Sequence, residues 1–292
     1  MKRSVVFPSS RSYIVFLEMS RVYVNSMRVV YSTVENARLN TYNIPDLNTS
    51  VLILGTGTSI TQQAVRMLRE SGVIIMFSGN DGFPLYYADM MYKPTEYLHK
   101  YARKWYSEEY RLNTSKFLQS KRFDYIIETW NVGPNEKALM NKVKERLSTC
   151  KDIKEILGVE GNAVRRLIYP NASKLFNPEW KGRDRTSSDA FNQRLNRANV
   201  IIYGMVATVL SSLGIPPSFA VTHGETRRGG LVYDIADVYK DAIGLPLCLK
   251  SSYDPHGSDF RQELTNHLHT VKIGGSRLFQ KMFSDTKEMI SL

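Results

Sequence analysis

The sequence predicts an α+β fold, with a small β-rich N-terminal domain of residues 1–95 and a larger all-α C-terminal domain of residues 96–292. Before residue 95, β-branched and aromatic residues gather in short runs that are typical of strands. After Pro94, apolar residues recur at helical spacing. The 292 residues, 42% of them hydrophobic, are enough to bury a sizeable core.

Short strands and one helix account for the N-terminal part. The run YIVFLEMSRVYVNSMRVVYSTV, with polar breaks at Ser20-Arg21 and Asn25-Ser26, predicts hairpins. The following SVLILGTGTSITQQAVRMLRESGVIIMFSG predicts a strand, a tight turn, a helix capped by Thr61 and ended by Gly72, and another strand. GFPLYYADM predicts one more strand. The GTGTSIT turn lacks the third glycine of a dinucleotide fingerprint and any Gly-Lys-Ser/Thr, so we interpret it as structural.

Amphipathic helices account for the remainder. They are predicted in the stretches of residues 95–130, 135–150 and 154–176, and Val200 to Leu213 predicts a buried helix interrupted only by Gly204 and serines. No stretch reaches the ~18 apolar residues of a membrane span, and the N-terminus lacks the apolar run of a secretory signal.

The net charge of +11 favours a polyanionic partner, most often nucleic acid. Most of the basic excess follows residue 95. Cys150 and Cys248 are two lone thiols without metal-ligand spacing, which predicts a reducing compartment and hence the cytoplasm.

Three carboxylates lie close together in THGETRRGGLVYDIADVYKD. Asp234, Asp237 and Asp241 share one side of a predicted helix. One interpretation is a surface helix whose acids pair with nearby cations. The candidate partners are Arg227, Arg228 and Lys240. The other is a divalent-metal site completed by His223, because Mg²⁺ and Mn²⁺ take carboxylate oxygens and Mn²⁺ also accepts imidazole.

A third ligand has to come from elsewhere in the chain, and LGVEGNAVRRLIY offers Glu160. It lies between Gly158 and Gly161, which allow another backbone to approach, and we expect it to begin a helix. The alternative is an acid that is stabilised there only by the helix dipole.

Taken in order, LGVEGNAVRR and THGETRRGGLVYDIADVYKD resemble the CRISPR-associated Cas1 endonuclease/integrase family. GTGTSITQ, GIPPSFAVTHG and KPTEYL extend the resemblance over most of the chain, and the wording is most similar to the type I-F subgroup. The resemblance implies a metal held by Glu160, His223 and Asp237, with Asp234 behind these ligands rather than on the metal.

The family resemblance also implies a function. A metal-dependent enzyme would join the 3′-OH ends of short spacer DNA into the CRISPR repeat by phosphodiester transesterification, using Mg²⁺ or Mn²⁺. The expected partners are double-stranded and branched DNA, a second copy of the chain bound through residues 1–95, and Cas2, expected as a Cas2–Cas3 fusion. The alternatives are a stand-alone metal-dependent nuclease acting on branched DNA and a metal-free DNA-binding module.

Other polar and aromatic residues complete the set of candidates. Phosphate oxygens are expected to bind the arginines that flank the ligands, Arg165, Arg166, Arg227 and Arg228. Stacking on splayed bases is one role open to Tyr169, Trp180 and Tyr203, and packing in the core is the alternative. The histidines expected to lie outside the metal site are His99, His256, His267 and His269.

Overall fold

The structure is a computed structural model that describes residues 11, 13–35, 37–79, 84–88, 95–224 and 228–292. Ten strands are defined within these residues: β1 (Tyr13–Leu17), β2 (Ser20–Asn25), β3 (Arg28–Glu35), β4 (Arg38–Asn43), β5 (Thr49–Leu54), β6 (Ser59–Ile60), β7 (Ile74–Ser78), β8 (Pro84–Ala88), β9 (Lys272–Ile273) and β10 (Ser276–Arg277).

The strands form two four-stranded sheets and one small hairpin. The first sheet has the order β1-β5-β7-β8, in which β1 and β7 run parallel to β5 and β8 runs antiparallel to β7. The second has the order β4-β3-β2-β6, with antiparallel β2–β3–β4 and a parallel β6. The β2–β3 hairpin turns at Ser26-Met27, next to the predicted break at Asn25-Ser26. The break predicted at Ser20-Arg21 is wrong, because both residues lie in β2 and β1 pairs with β5 instead of forming a hairpin with β2. The hairpin of β9 and β10 lies within the helical part.

Eleven α-helices are defined in the described part of the chain: α1 (Gln62–Glu70), α2 (Glu96–Trp105), α3 (Glu108–Trp130), α4 (Pro134–Thr149), α5 (Ile153–Ala163), α6 (Tyr169–Phe176), α7 (Ala190–Ser212), α8 (Gly230–Tyr239), α9 (Leu245–Lys250), α10 (Ser258–Thr270) and α11 (Leu278–Ser291). Two π-helical turns, Val164–Ile168 and Lys240–Gly244, join α5 to α6 and α8 to α9. The predicted α+β class, β-rich first and helical afterwards, is confirmed.

The GTGTSIT segment is a turn between β5 and α1. The Gly55 N–H and the Thr58 hydroxyl both donate to the Leu17 carbonyl, and the predicted cap Thr61 accepts from the Ala64 N–H at 3.3 Å. The segment therefore leads from β5 through β6 to the start of α1, as the predicted order of strand, turn and helix requires.

The first sheet shares a core with the helices. One face of this sheet carries Ile14, Ile53 and Met76. These side chains lie in the same buried cluster as residues of α7. A Cβ at Gly204 of α7 would lie 3.3 Å from side-chain atoms of Ile53 and Met76, so a glycine is needed where this helix meets the sheet. The other face packs against the second sheet and α1 in a smaller core.

None of the helices in the described ranges combines the length and apolar character required to cross a bilayer. Cys150 and Cys248 are buried free thiols, which agrees with the absence of metal-ligand spacing. Burial raises the pKa of both.

Candidate metal centre

The three aspartates of the α8 region are buried, with Asp234 and Asp237 each 3% exposed and Asp241 4% exposed. Ile235, Ala236 and Val238, which lie between them, are buried as well. The interpretation as a surface helix is therefore wrong, because every side of α8 is packed. Each carboxylate has a different partner in the interior, and the site follows from these three contacts.

Asp234 fixes the loop that carries His223. Its Oδ2 accepts hydrogen bonds from the N–H groups of Val221 and Thr222 at 2.7 and 3.1 Å, and its Oδ1 accepts from the N–H of His223 at 3.0 Å. The same Oδ1 lies 2.7 Å from His223 Nδ1. A carboxylate at Nδ1 fixes the imidazole with its proton on Nδ1 and directs Nε2 towards the other ligands.

Glycines bring this loop onto the start of α8. Gly229 has a φ of +68°, a left-handed conformation that glycine adopts at little cost. A Cβ at Gly230 would lie 2.7 Å from the Ala220 Cβ and 3.0 Å from the His223 carbonyl oxygen. The Gly-Gly pair thus permits the close approach that places Asp234 beneath the His223 loop.

Helices α2 and α3 hold the same loop from its other side. The Tyr101 hydroxyl donates to the Phe219 carbonyl at 2.8 Å, and the Trp105 indole N–H donates to the Ala220 carbonyl at 2.7 Å. The Ser115 hydroxyl lies 2.7 Å from that of Thr222. The helical spacing predicts Tyr101 and Trp105 as apolar positions, but no signal in the sequence indicates these polar contacts.

Glu160 lies inside α5 and does not begin a helix, so that prediction is wrong. The helix begins after Asp152, whose carboxylate accepts from the Glu155 N–H at 2.8 Å. Glu160 is therefore near the C-terminal end of α5, where the helix dipole does not favour an acid. The expectation that Gly158 and Gly161 allow another backbone to approach is also wrong. A Cβ at either position would have no atom from another part of the described structure within 4 Å.

Arg122 of α3 supplies the charge that compensates Glu160, and sequence reasoning missed it. Its Nη1 donates to Glu160 Oε1 at 2.8 Å, while its Nε donates to Asp241 Oδ2 at 2.8 Å and its Nη2 contacts the same oxygen. The side chain is 2% exposed. These pairs join residues 38 and 119 positions apart, which a local pattern does not reveal.

Lys240 neutralises Asp237, as one interpretation of the sequence proposes. Its Nζ lies 2.6 Å from Asp237 Oδ1, and the two side chains are 18% and 4% exposed. Burial raises the pKa of Asp237, but Lys240 and Arg122 lower it by more, so the carboxyl is ionised at neutral pH. In the described part of the chain, no ion pair joins Arg228 to these aspartates, and Arg227 lies outside the described residues.

Glu160, His223 and Asp237 meet at one point. Each offers one ligand atom, and these atoms lie within 4.8 Å of one another. No other group of three such residues is found in the described ranges. His223 Nε2 lies 4.0 Å from Glu160 Oε2, and two carboxylates with one imidazole are donors that Mn²⁺ and Mg²⁺ accept. The donor set therefore fits a divalent cation.

The site's own carboxylates affect the titration of its imidazole. Burial lowers the pKa of His223, but the hydrogen bond to Asp234 and the neighbouring carboxylates raise it by more, so that it lies above the ordinary value of 6.5. A cation at this position would therefore compete with a proton for Nε2.

The remaining candidates do not belong to the ligand group. Arg165 and Arg166 are exposed on the π turn after α5, and Arg228 is exposed before α8. Trp180 and Tyr203 are core residues, at 3% and 5% exposure. Tyr169 is half-buried and packs edge-on against Trp180, with ring centroids 5.2 Å apart.

The other four histidines do not join the metal group. His99 is exposed on α2, and His267 is half-buried on α10. His256 Nδ1 lies 2.8 Å from Arg197 Nη2, and His269 Nε2 accepts a hydrogen bond from the Ile14 N–H at 3.0 Å.

Comparison with known proteins gives a consistent result. Residues 13–268 match the family model described as CRISPR associated protein Cas1. A CRISPR-associated endonuclease Cas1 from Pseudomonas aeruginosa strain UCBPP-PA14 is 35% identical over 289 residues, covering 90% of this chain and 89% of the relative. A protein of the same name from Pectobacterium atrosepticum is 32% identical, covering 88% of this chain and 87% of the relative.

Solved structures share the fold. A Cas1 protein from Thermotoga maritima, TM1797, superposes with a TM-score of 0.77 at 16% identity, covering 95% of this chain and 96% of its own. A TtCas1–DNA complex superposes with a TM-score of 0.71 at 23% identity, covering 95% and 91%. A casposase bound to an integration product gives 0.75 at 16% identity, covering 94% and 89%.

Proposed function

The chain belongs to the CRISPR-associated Cas1 family, and we propose that it is a metal-dependent DNA endonuclease and integrase that inserts spacer DNA into a CRISPR array. The observation that carries the proposal is the convergence of Glu160, His223 and Asp237, whose ligand atoms lie within 4.8 Å of one another. A Mg²⁺ or Mn²⁺ ion held there would lower the pKa of an attacking hydroxyl and offset charge on the phosphate.

The proposed reaction is a direct exchange of phosphodiester bonds. The oxygen of the spacer's 3′-hydroxyl bonds to a phosphorus at the repeat boundary, and the bond from that phosphorus to the 3′-oxygen of the repeat strand breaks. The attacking hydroxyl gives its proton to solvent, and the departing 3′-oxygen takes one up. The step needs no covalent enzyme intermediate and no oxidant or nucleotide.

The chain's own residues prepare the site for this step. Asp234 holds His223 with Nδ1 protonated, so that Nε2 faces the ligand group. Arg122 occupies Glu160 Oε1 and so fixes the direction of the other carboxylate oxygen. Arg165 and Arg166, exposed on the turn after α5, are placed to bind phosphate oxygens, which position DNA without specifying its sequence.

The partners proposed for this function are DNA, a second copy of the chain and Cas2. The net charge of +11 and the family relative solved with DNA support the first. We propose residues 1–95 as the dimerisation part and residues 96–292 as the catalytic part. We also propose a type I-F placement and a Cas2–Cas3 fusion as the partner, both on the resemblance of the motifs. The proposed cytoplasmic location is supported by the free thiols.

Strand transfer into a plasmid tests the proposal. The full chain, with Cas2 or a Cas2–Cas3 fusion, is incubated with a labelled spacer duplex and a supercoiled plasmid carrying the repeat, in Mn²⁺, Mg²⁺ or EDTA. We expect label to join the plasmid only with a divalent cation, and not with Asp237→Ala. We expect that variant to bind duplex DNA within a few-fold of the wild type, because the arginines provide the affinity. Normal strand transfer by Asp237→Ala would refute the site.

A nuclease acting alone on branched DNA is the second candidate, because the relatives that cover most of the chain are named endonucleases. The same plasmid assay separates the two functions. Nicked plasmid without joined label, together with cutting of branched duplexes in the absence of Cas2, would favour the nuclease. Activity that is unchanged in EDTA would contradict both.

A further inference from the structure

Two buried cations contact the candidate metal centre, and they differ in what they hold. Arg122 connects Glu160 to Asp241, a carboxylate that does not belong to the ligand group. The ammonium of Lys240 lies 2.6 Å from Asp237 Oδ1, on a ligand residue whose carboxylate is 4% exposed. Arg122 is therefore held by two carboxylates, one of them outside the ligand group, whereas Lys240 contacts the ligand residue Asp237.

Electrostatics oppose an ammonium at the Lys240 position when a divalent cation is bound to Asp237. A divalent ion coordinated by Asp237 would lie within a few ångströms of this ammonium, in an environment where water screens little. The metal-free carboxylate also needs Lys240, because a buried acid without a counter-ion is strongly destabilising. Lys240 is the cation in direct contact with Asp237, so a bound divalent ion would change what the ammonium does there.

We propose that Lys240 is an internal counter-ion that stabilises Asp237 in the metal-free protein and withdraws when the divalent cation binds. The inference rests on the metal centre of the proposed function and adds a competitor to it. Metal binding is then an exchange of one cation for another. The affinity of the ligand group for the metal is therefore lower with Lys240 present than it would be without this competing charge.

The structure provides space for the withdrawal. Lys240 is also part of the wall of a small open cleft of about 40 Å³, whose charged lining includes Asp241, Arg183 and Arg185. Lys240 begins the π turn of residues 240–244, and its four-carbon stem can swing without moving Asp237 one turn earlier. Arg122 has no comparable freedom, since its guanidinium is held by two carboxylates and is 2% exposed.

Opposite effects on metal affinity test the proposal. We would measure Mn²⁺ binding by calorimetry and by the electron paramagnetic resonance of free Mn²⁺, at pH 8 and without DNA. The variants are Lys240→Gln, Lys240→Arg and Arg122→Gln. We expect Lys240→Gln to bind Mn²⁺ about tenfold more tightly, or about 1.4 kcal/mol, because the competing charge is gone. Lys240→Arg should stay within about twofold of the wild type, since it keeps the charge, and Arg122→Gln should bind about tenfold more weakly.

Thermal unfolding gives a second readout that does not depend on activity. In EDTA, Lys240→Gln should unfold at a lower temperature than the wild type, because Asp237 has lost its counter-ion. Saturating Mn²⁺ should raise the midpoint more in Lys240→Gln than in the wild type, because ligand binding stabilises by an amount set by the affinity. If Lys240→Gln is too unstable in EDTA, it can be purified with Mn²⁺ and its metal release followed during dialysis, where slower loss than from the wild type is expected.

The outcomes distinguish this inference from the proposed function. Equal or weaker Mn²⁺ binding by Lys240→Gln, with wild-type binding that is lost in His223→Ala, would overturn the inference alone. Wild-type protein that binds no Mn²⁺, or binding that survives in His223→Ala, would overturn the metal centre and the inference with it.

Discussion

Replacing Asp234 with asparagine should weaken both the fold and the metal centre. The carboxylate accepts from three backbone N–H groups and lies 2.7 Å from His223 Nδ1, with two of these contacts on each oxygen. An asparagine side chain has one acceptor oxygen and one NH₂ group. Whichever way the amide is turned, two of the four donors then face another donor, so the variant cannot restore the network.

The magnitude follows from the two contacts that are lost. A hydrogen bond to a charged group contributes about 1.5–3 kcal/mol, so the loss should lower the free energy of unfolding by about 3–6 kcal/mol. At roughly 2 °C for each kcal/mol in a chain of this size, the unfolding midpoint in EDTA should fall by about 6–12 °C. Because the orientation of His223 is no longer fixed, Mn²⁺ affinity should fall about 10–100-fold.

The matched control is Asp285→Asn. Asp285 is 2% exposed and accepts hydrogen bonds from the hydroxyls of Tyr125 and Tyr239 at 2.5 and 2.7 Å, outside the ligand group. This variant should also lower the unfolding midpoint but leave the Mn²⁺ dissociation constant unchanged. Calorimetry and differential scanning measure both quantities. If Asp234→Asn loses no more metal affinity than Asp285→Asn, the argument that Asp234 orients the imidazole is refuted.

Three further perturbations give distinct signatures. Replacing Arg165 and Arg166 with alanine should weaken binding to all duplexes alike and reduce the salt dependence by about 0.9 for each lost phosphate contact; an unchanged slope in filter-binding titrations would place them off the DNA. Since the His223 pKa lies above 6.5, Mn²⁺ affinity should begin to fall above pH 6.5 as the pH is lowered, and His267→Ala, outside the ligand group, should keep this step in the same titration. Burial lowers the pKa of His269 to about 4, so its stabilising contribution is present above pH 6.5 and is lost towards pH 4; urea unfolding should show about 1–2 kcal/mol of this loss, reduced by partial exposure, and His269→Gln should lack it.

The parts of the site that the sequence predicts are those that a local pattern fixes. Asp234 and Asp237 are three residues apart on α8, and a helical period places them on one side whatever surrounds them. The Gly-Gly pair at residues 229 and 230 marks the turn before that helix. The neighbouring His223 then needs only a short loop to reach the carboxylates, so the proximity of these residues is predictable, whereas their assignment as metal ligands came from the family resemblance.

The parts that the sequence does not predict depend on contacts between distant segments. The pairing of Arg122 with Glu160 and Asp241 joins three helices, and nothing in the composition of α3 distinguishes this arginine from its neighbours. The start of α5 was predictable, because Asp152 followed three residues later by Glu155 is a capping signal. The glycines on either side of Glu160 favoured a helix that begins at Glu160, whereas α5 begins at Ile153.

Helix α7 spans the molecule from the first sheet to the metal centre. It packs against β5 and β7 at one side and against α8 at another, and Gly204 lets it approach Ile53 and Met76 without an intervening side chain. Close-packed interiors resist compression, and α7 is packed between the first sheet and α8. The first sheet and the helix that carries Asp234 and Asp237 therefore pack against the same helix, so the arrangement of the ligand residues depends on a core that the sheet helps to form.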